Sequence, residues 1–197
     1  GTPAGPYTLT YQICEVLNAS NCDTAVVTVT VSAASIIAND DAGTPVNGLT
    51  GGTAFTNVLT NDTLNGVAVN ASQVNLTFVS STNAGITLSG TDVVVAPGTP
   101  AGPYTLTYQI CEVLNASNCD TAVVTVNVSA ASIIANDDAG TPVNGLTGGT
   151  AFTNVLANDT LNGVAVNASQ VNLTFVSSTN AGITLSGSDV VVAPGTP

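Results

Sequence analysis

The chain lacks every cationic side chain. Its 197 residues contain no Lys, Arg or His, against 12 acidic residues, which gives a formal net charge of −12 at pH 7. An average soluble chain is about 25% charged, with both signs represented. Proteins bind nucleic acid largely through cationic side chains, so a nucleic-acid partner is excluded. An anionic membrane surface is disfavoured for the same reason.

The same absences bear on catalysis. Without His or Lys there is no ordinary general base near neutral pH, and nothing to activate a Ser or Cys nucleophile. A carboxylate pair can act alone in glycosidases, but aromatic side chains that would hold a sugar make up only 4% of the chain. No apolar run approaches the roughly 20 residues of a membrane span. We therefore expect a non-catalytic protein with no membrane insertion in this segment.

The sequence repeats itself. Residues 1–7 return as residues 98–104, which sets a period of 97 residues, and only three positions differ between the copies. The exchanges are Thr30 to Asn127, Thr60 to Ala157 and Thr91 to Ser188. Near-identical tandem copies are typical of repeat arrays, in which the number of units matters more than any single site. We expect a segment of a longer array.

Periodicity throughout is that of β-strands. Apolar residues alternate with Thr, Asn and Gln in segments 7–13, 27–31, 74–78 and 86–88, with Gly, Pro and Asn at the breaks. No segment has helical spacing. Several short strands in about 100 residues predict an all-β fold of tandem immunoglobulin-like antiparallel β-sandwiches, arranged head to tail in a fibre.

The expected domain boundary does not coincide with the start of the chain. The linker Ala33-Ala34-Ser35 precedes Ile36, so a complete immunoglobulin-like repeat is expected over 36–132. Residues 1–35 would then form the closing hairpin of a partial repeat, and residues 133–197 the opening strands of a further partial repeat. Each fragment alone would expose unpaired strand edges and an apolar face.

Each repeat carries two cysteines, Cys14 with Cys22 and Cys111 with Cys119. An even count at fixed short spacing predicts disulfides and an oxidising compartment. A structural zinc site is excluded, because one repeat offers two thiolates and no imidazole where zinc takes four ligands. Both cysteines of a pair have the parity of the outward Thr residues, so they are expected to meet across one hairpin.

Several segments resemble a known family. The segments 39–41 (NDD), 43–45 (GTP), 58–62 (VLTND) and 7–14 (YTLTYQIC) are similar to the tandem repeats of giant bacterial surface adhesins. The similarity is to fibrillar adhesin repeats of the CshA type, with a looser one to bacterial cadherin-like repeats. This resemblance implies an extracellular, sandwich-fold, non-catalytic stalk.

Acidic residues near the expected domain junction raise the question of calcium. Carboxylates, carbonyls and water are the ligands that Ca²⁺ takes. The looser cadherin-like resemblance implies calcium, whereas the CshA-type resemblance does not, and solvated acidic turns are the favoured interpretation. The candidate ligands are Asp40, Asp41 and Asp62 in the first copy and Asp137, Asp138 and Asp159 in the second.

Short motifs also suggest glycosylation. Asp23-Thr24-Ala25 and Asp62-Thr63-Leu64 resemble an Asp-Ser/Thr-aliphatic signal for O-glycosylation. The candidate acceptors are Thr24 and Thr63, with Thr121 and Thr160 in the second copy. Sugar at these positions is a hypothesis from a three-residue pattern.

Together these features predict an extracellular stalk or filament at a bacterial cell surface, a cell-adhesion structure whose expected partners are identical repeats placed head to tail. The alternatives are a noncovalent, pilus-like filament joined by strand exchange and a repeat module that binds calcium or glycan. Ice binding by a Thr array is a weaker alternative, because it rests on Thr28 and Thr30 and Asn127 interrupts the array in the second copy.

Overall fold

A computed structural model describes the whole chain, residues 1–197. It falls into two compact units, unit 1 (Gly1–Ala130) and unit 2 (Ala131–Pro197). The chain is all-β, with one 3-10 turn at Ala168–Gln170 and no α-helix. No helix is long and apolar enough to cross a membrane.

Unit 1 contains thirteen strands. They are β1 (Gly5–Cys14), β2 (Cys22–Val31), β3 (Ile36–Ile37), β4 (Asp41–Ala42), β5 (Val46–Asn47), β6 (Gly52–Phe55), β7 (Thr63–Leu64), β8 (Val67–Ala68), β9 (Val74–Ser81), β10 (Ile86–Ser89), β11 (Asp92–Val95), β12 (Gly102–Glu112) and β13 (Asn115–Ser129).

The strands of unit 1 form four sheets. The largest has five strands in the order β4–β13–β12–β9, with β5 also paired to β13. Three-stranded sheets β10–β11–β6 and β3–β7–β8 accompany it, and β1 and β2 form a separate two-stranded hairpin. The pairs β12–β13 and β12–β9 are antiparallel, whereas β4 and β5 run parallel to β13.

One apolar core lies between the five-stranded sheet and the β10–β11–β6 sheet. It follows from period-two alternation, since every second residue of a strand points to the same face. On β12, Leu106, Tyr108 and Ile110 are fully buried, and Ile86 and Val93 meet them from the other sheet. The predicted immunoglobulin-like sandwich is confirmed as a fold class, while the fibre arrangement stays a prediction.

Unit 2 contains six strands in two three-stranded sheets, β14–β16–β17 and β15–β19–β18. The strands are β14 (Ile133–Ile134), β15 (Gly149–Phe152), β16 (Thr160–Leu161), β17 (Val164–Ala165), β18 (Ile183–Ser186) and β19 (Asp189–Val192). These sheets reproduce β3–β7–β8 and β6–β11–β10 of unit 1, one period later. Whether 1–35 and 133–197 belong to neighbouring repeats stays a prediction.

Candidate functional site

The predicted disulfides close both long hairpins. Cys14 lies opposite Cys22 in the β1–β2 register, and Cys111 lies opposite Cys119 in the β12–β13 register. The S–S distances are 2.06 Å and 2.03 Å, and the Cα–Cα distance is 4.1 Å in both pairs. No cysteine is left free. Each bond ties the two strands where they enter the connecting loop, as strand parity predicted.

The most unusual polar feature of unit 1 is a buried cluster of Asp41, Asp62 and Tyr108, called the tyrosine–carboxylate cluster below. Tyr108 stands in the middle of β12, at an apolar position, and its hydroxyl therefore needs a partner inside the core. The hydroxyl donates to the Asp62 carboxylate, 3.1 Å from Oδ1 and 3.2 Å from Oδ2. It also lies 3.0 Å from the carbonyl oxygen of Val58.

Local structure brings the two carboxylates to this point. Asp41 begins β4, which is held parallel to β13 beside Val124. Asp62 ends the turn that follows Val58, where its backbone N–H donates to the carbonyl of Leu59. The Asp62 Oδ1 also accepts the backbone N–H of Asn39 at 2.8 Å. Asp62 thus joins the turn, the chain before β4 and the centre of β12.

Burial sets the electrostatics of the cluster. The pKa of Asp41 is raised to about 6 by removal from water and then by the neighbouring charge of Asp62. Burial also raises the pKa of Asp62, partly offset by the N–H of Asn39, and it raises that of Tyr108. The Asp41 Oδ2 is buried and has no hydrogen-bond partner. The cluster holds acidic groups where the charged form is disfavoured.

The calcium candidates do not all lie in one place. Asp41 and Asp62 approach each other in the core, whereas Asp40 is exposed and its Oδ1 accepts the backbone N–H of Val123. No group of three or more acidic, His or Cys side chains is arranged to hold a metal ion. The oxygens of Asp62 already accept hydrogen bonds from Tyr108 and Asn39. Calcium binding stays a prediction.

In unit 2 the equivalent acidic residues are arranged differently. Asp159 remains buried, at 8% exposure, and accepts the backbone N–H of Asn136 at 2.8 Å. Asp137 and Asp138 are exposed. No tyrosine follows residue 104 except Tyr108, so unit 2 contains no counterpart of the Tyr108 hydroxyl. The polar interior of unit 2 is therefore incomplete by comparison with unit 1.

The candidate glycosylation sites differ in accessibility. Thr24 and Thr121 are exposed on β2 and β13, and each backbone N–H donates to the carboxylate of the preceding Asp. Thr63 and Thr160 are half-buried in the short strands β7 and β16. Exposure makes Thr24 and Thr121 the more accessible acceptors, and glycosylation at any of the four stays a prediction.

Sequence reasoning missed the role of Tyr108. Strand alternation placed Tyr11 and Tyr108 on the apolar face, yet nothing in the pattern named the partner of either hydroxyl. A usable signal was present, because a tyrosine at a core position commonly requires a buried acceptor. Asp62 in the 58–62 segment was the available acceptor, and only the fold brought it within reach of β12.

A sandwich with an internal disulfide hairpin is the class of structure that these observations define. No protein-family model matches the chain, and no curated protein matches it. Among solved structures, it is similar to the protocadherin gammaB4 extracellular domain at 13% identity and a TM-score of 0.32, covering 96% of this chain and 34% of that one. A protocadherin gammaB7 EC3-6 cis-dimer structure matches at 13% identity and a TM-score of 0.31, covering 98% and 51%. The chain thus spans about a third to a half of these structures.

Proposed function

We propose that this chain is a segment of an extracellular stalk or filament at a bacterial cell surface, built from near-identical repeats and non-catalytic. The observation that carries the proposal is the repetition itself. A 97-residue sandwich sequence returns with three exchanges, and all three positions lie outside the buried core. Asn127 and Ala157 are exposed and Ser188 is half-buried. Such repetition suits a spacer, whose function depends on length.

The disulfides support an extracellular location. Such bonds persist in oxidising compartments and are rare in reducing ones. Bridging so short a loop contributes about 2–3 kcal/mol to stability by restricting the unfolded chain. The bond also keeps the two strands of a hairpin together if a pulling force opens the rest of the sandwich. This property suits a stalk under mechanical load.

The position of the buried titratable groups supports a non-catalytic role. The one buried cluster of titratable groups, formed by Asp41, Asp62 and Tyr108, lies inside the core of unit 1. A substrate would have to enter the sandwich to reach it. The Tyr108 hydroxyl already spans Asp62 and backbone carbonyls, which is the geometry of a structural tie.

The stalk is tested by its length. Chains of two, four and eight periods, all beginning at Gly1 and carrying Leu9→Asp to prevent end-to-end association through the exposed hairpin, should be measured by small-angle scattering and by electron microscopy. A ten-residue strand spans about 33 Å, so each period should add about 35–45 Å to the long dimension. A long dimension that grows only as the cube root of chain length would contradict the stalk, because it would mean a compact particle.

A noncovalent, pilus-like filament is the second candidate. The observation favouring it is the apolar face of the β1–β2 hairpin, where Leu9 is 58% exposed and Ile13 is 66% exposed. A calcium-binding role is supported in unit 1 by the buried, unpartnered Oδ2 of Asp41. Either role is compatible with a repetitive extracellular structure.

A further inference from the structure

One eight-residue sequence, present in both units, forms a strand in unit 1 but not in unit 2. Residues 74–81 and 171–178 share the sequence VNLTFVSS. In unit 1 this segment is β9, and its partner is β12. In unit 2 the segment forms no strand. The two copies have identical intrinsic preferences, so the difference comes from the partner strand that unit 2 lacks.

The short parallel strands β4 and β5 show the same difference between the two units. β4 and β5 exist by pairing with β13, at Asp41 beside Val124 and Val46 beside Val128. Their counterparts in unit 2, at 138–139 and 143–144, form no strands. Every strand of the sandwich that pairs with the β12–β13 hairpin is thus missing from unit 2, whereas both sheets that do not pair with it are present.

The missing hairpin exists elsewhere in the same sequence. β1 and β2 repeat β12 and β13 one period earlier, with the same antiparallel register from Gly5 opposite Val31 to Cys14 opposite Cys22. Within unit 1 these strands pair only with each other. Their apolar face is open, since Tyr11 is 47% exposed where the equivalent Tyr108 is fully buried.

Unit 2 is open on the matching side. Ile86 and Val93 are fully buried in unit 1, whereas the equivalent Ile183 and Val190 are only half-buried. A groove is lined by residues 174–178 together with Ile183, Leu185 and Val190. Phe175 is 52% exposed at this groove and Val176 is 91% exposed. Exposure thus rises at Ile183, Val190 and Val176, since Ile86 and Val93 are fully buried and Val79 is 51% exposed in unit 1, whereas Phe175 is about as exposed as its equivalent Phe78 at 48%.

We propose that the hairpin Gly5–Val31 of one copy of this chain completes unit 2 of a second copy, in the register that β12 and β13 use within unit 1. The proposal rests on the noncovalent filament described above. It identifies the contact between neighbouring copies, which is called the joint below. An interface of this kind already exists within unit 1, where β12 pairs with β9 and β13 pairs with β4. The same residue types stand at the same spacing in the hairpin Gly5–Val31 and in unit 2. Each copy carries one donor hairpin and one acceptor groove, so the contact is head to tail, and it extends into a filament unless the rotation between copies closes a ring.

The register follows residue by residue. Tyr11 lies opposite Phe175 and Ile13 opposite Leu173, as Tyr108 lies opposite Phe78 and Ile110 opposite Leu76. On the other strand, Val27 lies beside Asp138. The segments 171–178, 138–139 and 143–144 become strands in the complex, because the donor supplies the backbone partners that they lack.

Polar anchors fix the same alignment. The Tyr11 hydroxyl reaches Asp159, as the Tyr108 hydroxyl reaches Asp62. The Asp137 carboxylate accepts the backbone N–H of Val26, as Asp40 accepts that of Val123 at 2.8 Å. A slip of one residue along the strand would turn the apolar face outward and separate these pairs. One register is therefore strongly preferred.

Cysteine crosslinking tests the joint on the full chain. Thr107 lies opposite Ser80 in unit 1, so the double variant Thr10→Cys with Ser177→Cys should form a ladder of disulfide-linked chains on a non-reducing gel. The control pair, Thr10→Cys with Ala157→Cys, places the second thiol at an exposed position outside segment 171–178 and should give no ladder. Equal ladders from both pairs, or a bond formed only within one chain, would overturn the proposal.

Sedimentation velocity provides an independent readout. The parent chain should sediment as concentration-dependent oligomers, and Leu9→Asp should leave monomers, because a carboxylate would replace a side chain whose counterpart Leu106 is fully buried. Thr30→Asp is the matched control, since Thr30 and its equivalent Asn127 are both exposed, and it should associate like the parent. Parent chains that stay monomeric at every concentration would overturn the joint. The stalk would still be tested separately, by the length that each added period contributes to the particle. Association lost equally in both variants would also overturn it.

Discussion

Replacing Tyr108 by Phe removes one buried hydroxyl and changes almost nothing else. The side chain is fully buried, and Phe keeps the ring that fills the core. What is lost is the hydrogen bond to Asp62, at 3.1 Å from Oδ1. Hydrogen bonds to charged groups contribute about 1.5–3 kcal/mol, and a partner left unsatisfied in the core adds to the loss. We expect Tyr108→Phe to lower the free energy of unfolding of unit 1 by about 2 kcal/mol.

The remaining contacts of Asp62 set the upper limit of the effect. The backbone N–H of Asn39 still donates to Asp62 at 2.8 Å, so the carboxylate is not stripped of partners. Burial already raises the pKa of Asp62, and loss of the hydroxyl should raise it further. The destabilisation should therefore be largest near neutral pH and shrink as acid protonates Asp62.

Calorimetry and circular dichroism measure this change directly. For a domain of this size, about 1 kcal/mol corresponds to about 4–8 °C in Tm, so a decrease of about 10 °C is expected. Both measurements should be made in the Leu9→Asp background, where association does not contribute. The matched control is Tyr11→Phe, at a residue that is 47% exposed, and it should leave Tm unchanged there. A loss below about 0.5 kcal/mol for Tyr108→Phe would refute the structural role of the tyrosine–carboxylate cluster.

Three further predictions concern charge, metal and thiols. Because the folded state raises the pKa of Asp41 from 3.8 to about 6, the stability of unit 1 should fall as pH rises from about 4 to 7. Asp41→Asn should reduce that dependence, leaving the part due to the raised pKa of Asp62, and should raise stability at pH 7 by about 1–2 kcal/mol. In the Leu9→Asp background, Asp138→Asn, at the equivalent exposed position of unit 2, should change neither, and an equal or steeper dependence in Asp41→Asn would contradict this. If calcium binds the predicted carboxylates, chelator should lower Tm and adding Ca²⁺ should restore it, and an unchanged melting curve would return these residues to solvated or buried structural roles. Alkylation of the native chain without reductant should add no mass, because Cys14–Cys22 and Cys111–Cys119 are closed, and four alkylated thiols would disprove the bonds.

Local pattern was sufficient for much of the secondary structure. Period-two alternation predicted the strands at 7–13, 27–31, 74–78 and 86–88, and the structure has β1, β2, β9 and β10 there. Strand parity also predicted the disulfides, because two residues of equal parity at the end of one hairpin meet on the same face. These inferences concern residues close in sequence, where backbone geometry alone decides which side chains are neighbours.

The candidate site was only partly predictable. The acidic residues stood out by composition, but their separation into buried Asp41 and Asp62 and exposed Asp40 depends on which of them the five-stranded sheet covers. Tyr108 and Asp62 are 46 residues apart in sequence. No local rule joins groups at that distance, so the cluster required the packing of the turn against β12.

What the sequence by itself determined is the repeat, the strand periodicity, the paired cysteines and the absence of any cation. Only the tertiary structure decided which stretch of the repeated sequence folds together as a complete sandwich. Residues 74–81 form a strand, and residues 171–178, with the same sequence, do not. The reason is physical: an isolated strand leaves its N–H and C=O groups without partners, so a segment becomes a strand only where another strand lies beside it.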